Sequence, residues 1–517
     1  MLLSRRSAFF FSVLTGLLLW VSFPGGGEVR PLLFVALVPF LFTISRVGWR
    51  GAVFSGLICG LVHFTLLLYW IVIVLGRYGG LGWFISWPAL FLLALYMSLY
   101  FILFALPARY ILLSFPAAAA LWLLPALWVG IDWLRSVLFT GFPWMDLGYA
   151  LYQVPWLLQI ADLVGHHGVT FVIVFVNTGL LLLVMKRRTL PGYLLLLVPY
   201  LLLLGAVAMY GTARYAEVQQ TVMAGDVSRI TVGIVQGNID QSVKWSPAQQ
   251  QATVTGYIAQ TGSLFVSARP SLVVWPETAL PFYPPANDHM QPLQELVAAH
   301  DFALLTGAPW YEIIDREARK VNFFNSALLL QPDGSFGGKY YKSHLVPFGE
   351  YIPLKKYLPF LAPLVEAVGD FSFGTIEQPL SRREARVGVL ICFESVFPEL
   401  SRQWVAAGAN VLVNLTNDAW YGKSSAPWHS LAMSVLRAVE TRRSLIRSAN
   451  TGISAFVTPL GTITHQSELF VPWAAAAEVV LSEELTIWAR YGYQFAPVCL
   501  LLGLFGGLAA GMRRRWL

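Results

Sequence analysis

Seven apolar runs of membrane-spanning length crowd the first 211 residues, near 8–23, 31–46, 51–75, 82–106, 110–134, 157–184 and 190–211; an eighth lies near 493–511. A chain patterned this way must satisfy its backbone N–H and C=O groups internally wherever it meets lipid, so these runs are helices. Composition agrees. Hydrophobic residues make up 56% and charged residues only 12%, against about 25% charged in soluble domains, and mean hydropathy is +0.61. The surplus is uneven: from Thr212 to Arg490 the composition is that of an ordinary globular domain. Three segments are therefore expected: a membrane domain over 1–211, a globular domain over 212–490, and a membrane helix with a basic tail over 491–517. The first run follows Arg5 and Arg6 but lacks a small-residue cleavage site and is followed directly by further spans, so it reads as a helix and not as a cleaved signal.

Lysine and arginine in the short loops set the orientation. With a cytoplasmic N-terminus, the inside positions hold eleven: Arg5, Arg6, Arg46, Arg50, Arg109, Lys186, Arg187, Arg188, Arg513, Arg514 and Arg515. The outside loops hold three, Arg30, Arg77 and Arg135. Seven spans then place the middle domain outside the cytoplasm, and the eighth brings the C-terminus back. The connection Thr140-Gly141-Phe142-Pro143-Trp144-Met145-Asp146 reads, on composition alone, as an aromatic loop at headgroup level.

The net charge of +7 is modest, and no Lys/Arg block interleaves with aromatics, so nucleic acid is not an expected partner. Of the three cysteines, Cys59 and Cys499 lie in apolar segments and Cys392 alone lies in the middle domain, which excludes a disulfide framework there. The sequence has no metal-ligand cluster and no cofactor motif.

In the middle domain, strand-like runs at 230–235, 272–275, 303–307, 326–330, 385–392, 410–415, 445–449 and 454–457 alternate with helical stretches at 246–268, 289–299, 395–407 and 427–441. Alternation of this kind predicts a layered α/β domain. The stretch 348–373 is rich in Pro and aromatics and has no helix or strand period; long loops in compact domains are usually functional.

Three short motifs sit at predicted strand ends, where side chains leave a sheet and converge. Glu277 follows Val273-Val274-Trp275-Pro276 and is a candidate general base. Lys342, in Lys339-Tyr340-Tyr341-Lys342, is a candidate oxyanion-binding cation, with Glu350 placed to hold it. Cys392, in Ile391-Cys392-Phe393-Glu394, precedes a predicted helix, whose N-terminus would favour thiolate. Singly, each has an ordinary reading: an inert buried thiol, a capping Glu, a solvated Lys.

Together, in the order Glu277, Lys342, Cys392, they resemble the nitrilase, or carbon–nitrogen hydrolase, superfamily, as do Asn414-Leu415-Thr416-Asn417-Asp418-Ala419-Trp420-Tyr421-Gly422 and Arg437-Ala438-Val439-Glu440. The flanking spans, Gly141-Phe142-Pro143-Trp144, Val235-Gln236-Gly237-Asn238, Lys244-Trp245 and His344-Leu345-Val346-Pro347-Phe348-Gly349-Glu350 narrow the likeness, over essentially the whole chain, to the apolipoprotein N-acyltransferase family. Phe393 stands where that family often has tyrosine, and Trp428-His429-Ser430 departs from its pattern.

The resemblance implies an αββα sandwich carried on about eight spans of a bacterial inner membrane, with the catalytic domain on the periplasmic side; a monomer is expected, though no feature of the sequence fixes the oligomeric state. It implies ping-pong acyl transfer from a membrane phospholipid, through a Cys392 thioester, to the α-amine of the N-terminal diacylglyceryl-cysteine of apolipoproteins. Glu277 would be the base, Lys342 and the Phe393 N–H the oxyanion donors, and Glu350, Glu394 and Trp245 supporting residues. Trp420 and Tyr421 would meet substrate. Phe348, Tyr351, Ile352, Leu354, Leu358, Phe360 and Leu361 are expected to form an apolar lid. A membrane-anchored amidase would share the same three residues, with water as acceptor. A transporter or scaffold is disfavoured because the spans carry few charges of the kind transport paths use.

Overall fold

The computed structural model describes residues 3–185, 190–285, 287–315, 317, 320–352 and 370–515. The chain divides into two compact units. One comprises Met1–Ala216, Ser424–Ala432 and Tyr491–Leu517, and the other Glu217–Lys423 and Met433–Arg490.

The first unit is helical. Among the described residues six helices are long and apolar enough to cross a membrane: Trp49–Leu67, Gly82–Ser114, Ala117–Val137, His166–Met185, Leu190–Met223 and Phe495–Arg513. Glycine lets two of them touch: a Cβ on Gly130 would lie 2.3 Å from Leu500 Cα, and one on Gly503 2.6 Å from Leu127 Cα. The first expected span is an 18-residue helix, Arg5–Ser22. The second is not one continuous helix. It is a 3₁₀ turn, Arg30–Phe34, and a nine-residue helix, Val38–Arg46, each with a proline at its start. Nine residues rise about 14 Å, half the depth of a hydrocarbon core. The Leu3 N–H donates to the Arg46 carbonyl at 3.1 Å, joining the end of that helix to the start of the chain. The expected seventh span, 190–211, runs on to Met223, because no Gly or Pro interrupts the polar turns after Thr212.

The Thr140–Asp146 loop is no headgroup belt. Trp144 and Asp146 are 1% exposed. Trp144 packs on Trp70 at 4.7 Å and its indole N–H donates to His429 Nδ1 at 3.1 Å; His429 Nε2 stands 2.9 Å from the Pro24 carbonyl. The departure noted at Trp428-His429-Ser430 thus lies in a segment that belongs to the membrane unit. Arg135 pairs with Asp146 and, at 3.7 Å, with Asp132, while His166 Nε2 is 2.8 Å from Asp146 Oδ2. These buried charges close on one another and pin the loop, as paired ions in lipid must.

The second unit holds two six-stranded sheets. The first is ordered β12-β1-β2-β3-β4-β5, with β1 Arg229–Gln236, β2 Leu272–Val274, β3 Ala303–Asp315, β4 Lys320–Leu330, β5 Phe336–Tyr341 and β12 Trp473–Val480. The second is ordered β11-β10-β9-β8-β7-β6, with β6 Leu380–Arg382, β7 Ala385–Ile391, β8 Val411–Thr416, β9 Ser444–Ala449, β10 Ala455–Val457 and β11 Ile463–Gln466. In each, three central strands are parallel (β1-β2-β3 and β7-β8-β9) and the outer ones antiparallel. Helices Pro247–Ser267 and Met290–His300 bury Val254, Tyr257, Leu264, Leu293 and Val297 against the first sheet. Helices Pro398–Ala406 and Ala426–Thr441 complete the α/β pattern. The eight expected strands all form. β5, β6, β11 and β12 were not expected, because partners distant in sequence specify them.

Candidate active site

Each of the three motif residues leaves a different strand. Glu277 follows β2 by three residues. Its chain turns at Thr278, which has φ +50°, and a Cβ on Gly307 of β3 would meet Thr278 N at 2.4 Å, so only glycine lets the Glu277 backbone cross there. Lys342 follows β5, its N–H donating to the Asn325 carbonyl at 2.9 Å. Cys392 follows β7 with φ +53°, a conformation that costs an L-residue about 1–2 kcal/mol. The turn is held from both sides. Ile391 N–H donates to Glu394 Oε2 at 2.7 Å, and Asn414 Nδ2 donates to the Leu390 carbonyl at 2.9 Å. Glu394 Oε1 also accepts from Tyr340 Oη at 2.7 Å, Ser343 N at 2.7 Å and His344 N at 3.0 Å, tying the Lys342 strand end to the cysteine turn.

Lys342 is 1% exposed. Its Nζ is 2.8 Å from Glu350 Oε2 and 3.9 Å from Glu277 Oε1. Asn325, on β4, bridges the same carboxylates: its Nδ2 donates to Glu277 Oε1 at 2.8 Å and to Glu350 Oε1 at 2.9 Å. The second oxygen of Glu277 accepts from Asn417 N–H at 2.9 Å, and that of Glu350 from Val346 N–H at 2.8 Å. Both carboxylates are thereby fixed in position. Nearby, Arg447 pairs with Asp418 at 2.7 Å, both fully buried.

Burial by itself would drive Lys342 toward neutrality. Glu350, Glu277 and Cys392 outweigh it and hold the ammonium above the ordinary lysine value. Cys392 behaves contrary to the sequence expectation. It opens a five-residue 3₁₀ turn, Cys392–Val396, and not an α-helix. Burial, then Glu277, push the thiol up to about 12, with Lys342 and Thr416 pulling the other way. A thiol pushed up in this way reacts as a nucleophile only with a base within reach. Glu277 and Lys342 are the charges nearest in effect to it.

The remaining expected site residues divide. Glu350 and Glu394 are in the cluster. Tyr421 is close enough that burial, then Cys392, Asp418 and Glu277, push its phenol well above the ordinary value. Trp420 lies on the same short 3₁₀ turn, Asp418–Tyr421. Phe393 is buried, its ring 5.1 Å from Phe397. Trp245 is half-exposed and Phe348 is exposed at φ +60°. Tyr351 packs its ring on Phe373 at 5.2 Å, and Ile352 is buried. Leu354, Leu358, Phe360 and Leu361 lie outside the described residues. The residues to which sequence reading gave no role in the site are Asn325, Arg447 and Lys244, the last quoted only within a motif. A polar Asn ahead of the apolar run Ala327–Leu330 was a signal of a kind, but nothing local says what it faces.

Comparison with known proteins decides the family. Residues 15–179 match the model of the apolipoprotein N-acyltransferase N-terminal domain, and residues 231–481 that of carbon–nitrogen hydrolases. An apolipoprotein N-acyltransferase of Geobacter metallireducens is 38% identical over 506 residues, 96% of this chain and 94% of that one. One from Gloeobacter violaceus is 33% identical over 512 residues, 94% and 91% of the two chains. The chain belongs to the apolipoprotein N-acyltransferase family. It is therefore a multi-pass membrane enzyme of the N-acyltransferase class with a nitrilase-like α/β domain. Within that family frame, Asn325 yields a direct test. Replacing it with Leu removes one donor from each of two buried carboxylates, and hydrogen bonds to charged groups contribute about 1.5–3 kcal/mol each. Asn325→Leu is expected to lower kcat of acyl transfer by about 10–100-fold with KM little changed, measured beside a thermal melt that reports the stability loss separately.

Proposed function

We propose that the enzyme transfers an acyl chain from a membrane phospholipid, through a Cys392 thioester, to the α-amine of the N-terminal diacylglyceryl-cysteine of apolipoproteins. The observation that carries this reading is the buried Lys342 ammonium set between Glu350 and Glu277, with burial and the Glu277 charge pushing the Cys392 thiol up beside them. Glu277 takes the thiol proton as sulfur attacks the ester carbonyl. Lys342 and the Phe393 N–H bind the oxyanion, a contribution of about 10²–10³ in rate per donor. The C–O bond breaks, and the proton passes from Glu277 to the departing lysophospholipid alkoxide. In the second half-reaction Glu277 takes a proton from the attacking amine, the C–S bond breaks, and the sulfur regains its proton. Glu350 orients Lys342.

The membrane unit supports a lipid donor. Lifting an acyl chain from the bilayer into water costs about 0.8 kcal/mol per CH₂, which an enzyme anchored among its substrates avoids. The loop Lys/Arg bias, eleven against three, favours the inner membrane with the catalytic domain on its periplasmic face. Phe348, Tyr351, Trp420 and Tyr421 are the described residues assigned to the acyl entrance.

Intact-mass spectrometry of the protein incubated with phospholipid alone tests the scheme. One acyl adduct is expected, labile to hydroxylamine and missing from Cys392→Ser. No adduct on the wild type would overturn it. An adduct that decays to free fatty acid as fast without amine as with it would make water the acceptor.

A further inference from the structure

Arg447 is a fully buried cation to which the mechanism assigns no role. It lies on β9, level with Asn414 on β8. Its guanidinium donates in three directions. Nη1 reaches Asn414 Oδ1, Nη2 reaches Asp418 Oδ2 at 2.7 Å, and Nε reaches the Ile453 carbonyl at 3.1 Å.

The first of these contacts leads to the nucleophile. Asn414 Nδ2 donates to the Leu390 carbonyl at 2.9 Å and to the Cys392 carbonyl at 3.4 Å. Those carbonyls bracket the turn in which Cys392 takes φ +53°. An amide side chain can present either end to such a turn. A guanidinium has donors and no acceptor, so it holds the Asn414 oxygen on its own side and turns the NH₂ toward the carbonyls.

The second contact leads to the base. Asp418 Oδ1 accepts from Thr416 Oγ1 at 2.8 Å, which fixes the chain on both sides of Asn417. The Asn417 N–H then donates to Glu277 Oε2 at 2.9 Å. Space for the Asp418 carboxylate is left by Gly452, where a Cβ would lie 2.0 Å from Asp418 Oδ2.

Resting on the thioester reading of the site, we propose that Arg447 is a positioning residue that fixes the Cys392 turn and the anchor of Glu277 relative to each other. Lysine could meet Asp418 as a point charge, but it lacks the planar fork that serves Asn414 and Asp418 together.

The test is a double-mutant cycle on full-length protein, read as the rate of Cys392 acylation by p-nitrophenyl acetate. With Glu277 present, Arg447→Lys is expected to slow acylation about 10–100-fold, the range that ångström-scale misplacement of reacting groups produces. In the Glu277→Gln background the same change should cost less than about threefold, because the alignment it disturbs is with a base already removed. A purely structural defect lowers the active fraction alike in both backgrounds and gives equal factors. Asn414→Ala cuts only the link to the cysteine turn and keeps the pair of Arg447 with Asp418. It should show the same unequal factors, and it serves where the arginine variant fails to fold. Equal factors in the two backgrounds, or a loss below about threefold with Glu277 present, would overturn the role of Arg447. An acyl adduct persisting in Cys392→Ser would instead overturn the thioester reading, so the two failures are distinguishable.

Discussion

Glu277→Gln is expected to slow Cys392 acylation about 10³-fold at pH 7.5, within the range that general-base catalysis supplies. The thiol sits near 12, so at that pH only about one molecule in 10⁴–10⁵ carries a thiolate unaided. Removing the carboxylate charge eases the thiol somewhat, which keeps the loss from being larger. The amide cannot replace the carboxylate's hydrogen bonds either. Glu277 accepts at both oxygens, from Asn325 and from Asn417, and a glutamine would point its own N–H₂ at one of those donors. The residual rate should rise about tenfold per pH unit between 7 and 10, because hydroxide now sets the thiolate population. Stopped-flow acylation with a short activated ester measures this. A residual rate flat with pH, or one within threefold of wild type, would remove Glu277 from the role of base.

Lys342→Met should be costly twice. Its partners Glu350 and Glu277 are 9% and 7% exposed, and deleting one member of a buried ion cluster costs about 3–5 kcal/mol, because the charges left behind stay unpaired. Losing an oxyanion donor takes a further ~10²–10³ from the rate. The lysine is held above its ordinary value. Its stabilisation is therefore fully present below the unfolded-state value and lost only as pH rises through the folded one, so the melting deficit attributable to the ammonium should be flat from pH 6 to 9. Adding Glu350→Gln to Lys342→Met removes one stranded carboxylate and is expected to restore part of the melting temperature without restoring activity. Recovery of both together would mean that Lys342 contributes packing charge only.

Much of this protein was legible in local pattern. Apolar runs longer than any soluble helix requires announce the membrane, because lipid demands continuous hydrophobic stretches whatever their neighbours. The limit showed at 31–46, where Pro31 and Pro39 broke one run into a turn and a short helix. Composition marks a run as apolar but does not count its turns. The buried strands β1, β2 and β7 were visible for a like reason, since parallel strands covered on both faces are largely apolar. β12 was not. Its Ala474–Ala477 run favours helix by intrinsic propensity, and the eight-residue ladder to β1 overrides it.

The order Glu277, Lys342, Cys392 was readable because few residue types can serve as base, cation and nucleophile. Their meeting was decided by the tertiary structure, which brings together the ends of β2, β5 and β7 from two sheets. So were contacts that no local pattern announces: Asn325 between two carboxylates, Lys244 over the Glu277 carbonyl, Trp144 buried on Trp70. The protonation of Cys392 was decided there as well. A local reading of strand followed by helix predicts a thiolate, whereas burial and the nearby Glu277 charge push the thiol the other way. Hydrophobic pattern is a property of consecutive residues and survives in the sequence. Desolvation and Coulomb energy depend on distances between residues far apart in the chain, and those exist only once it has folded.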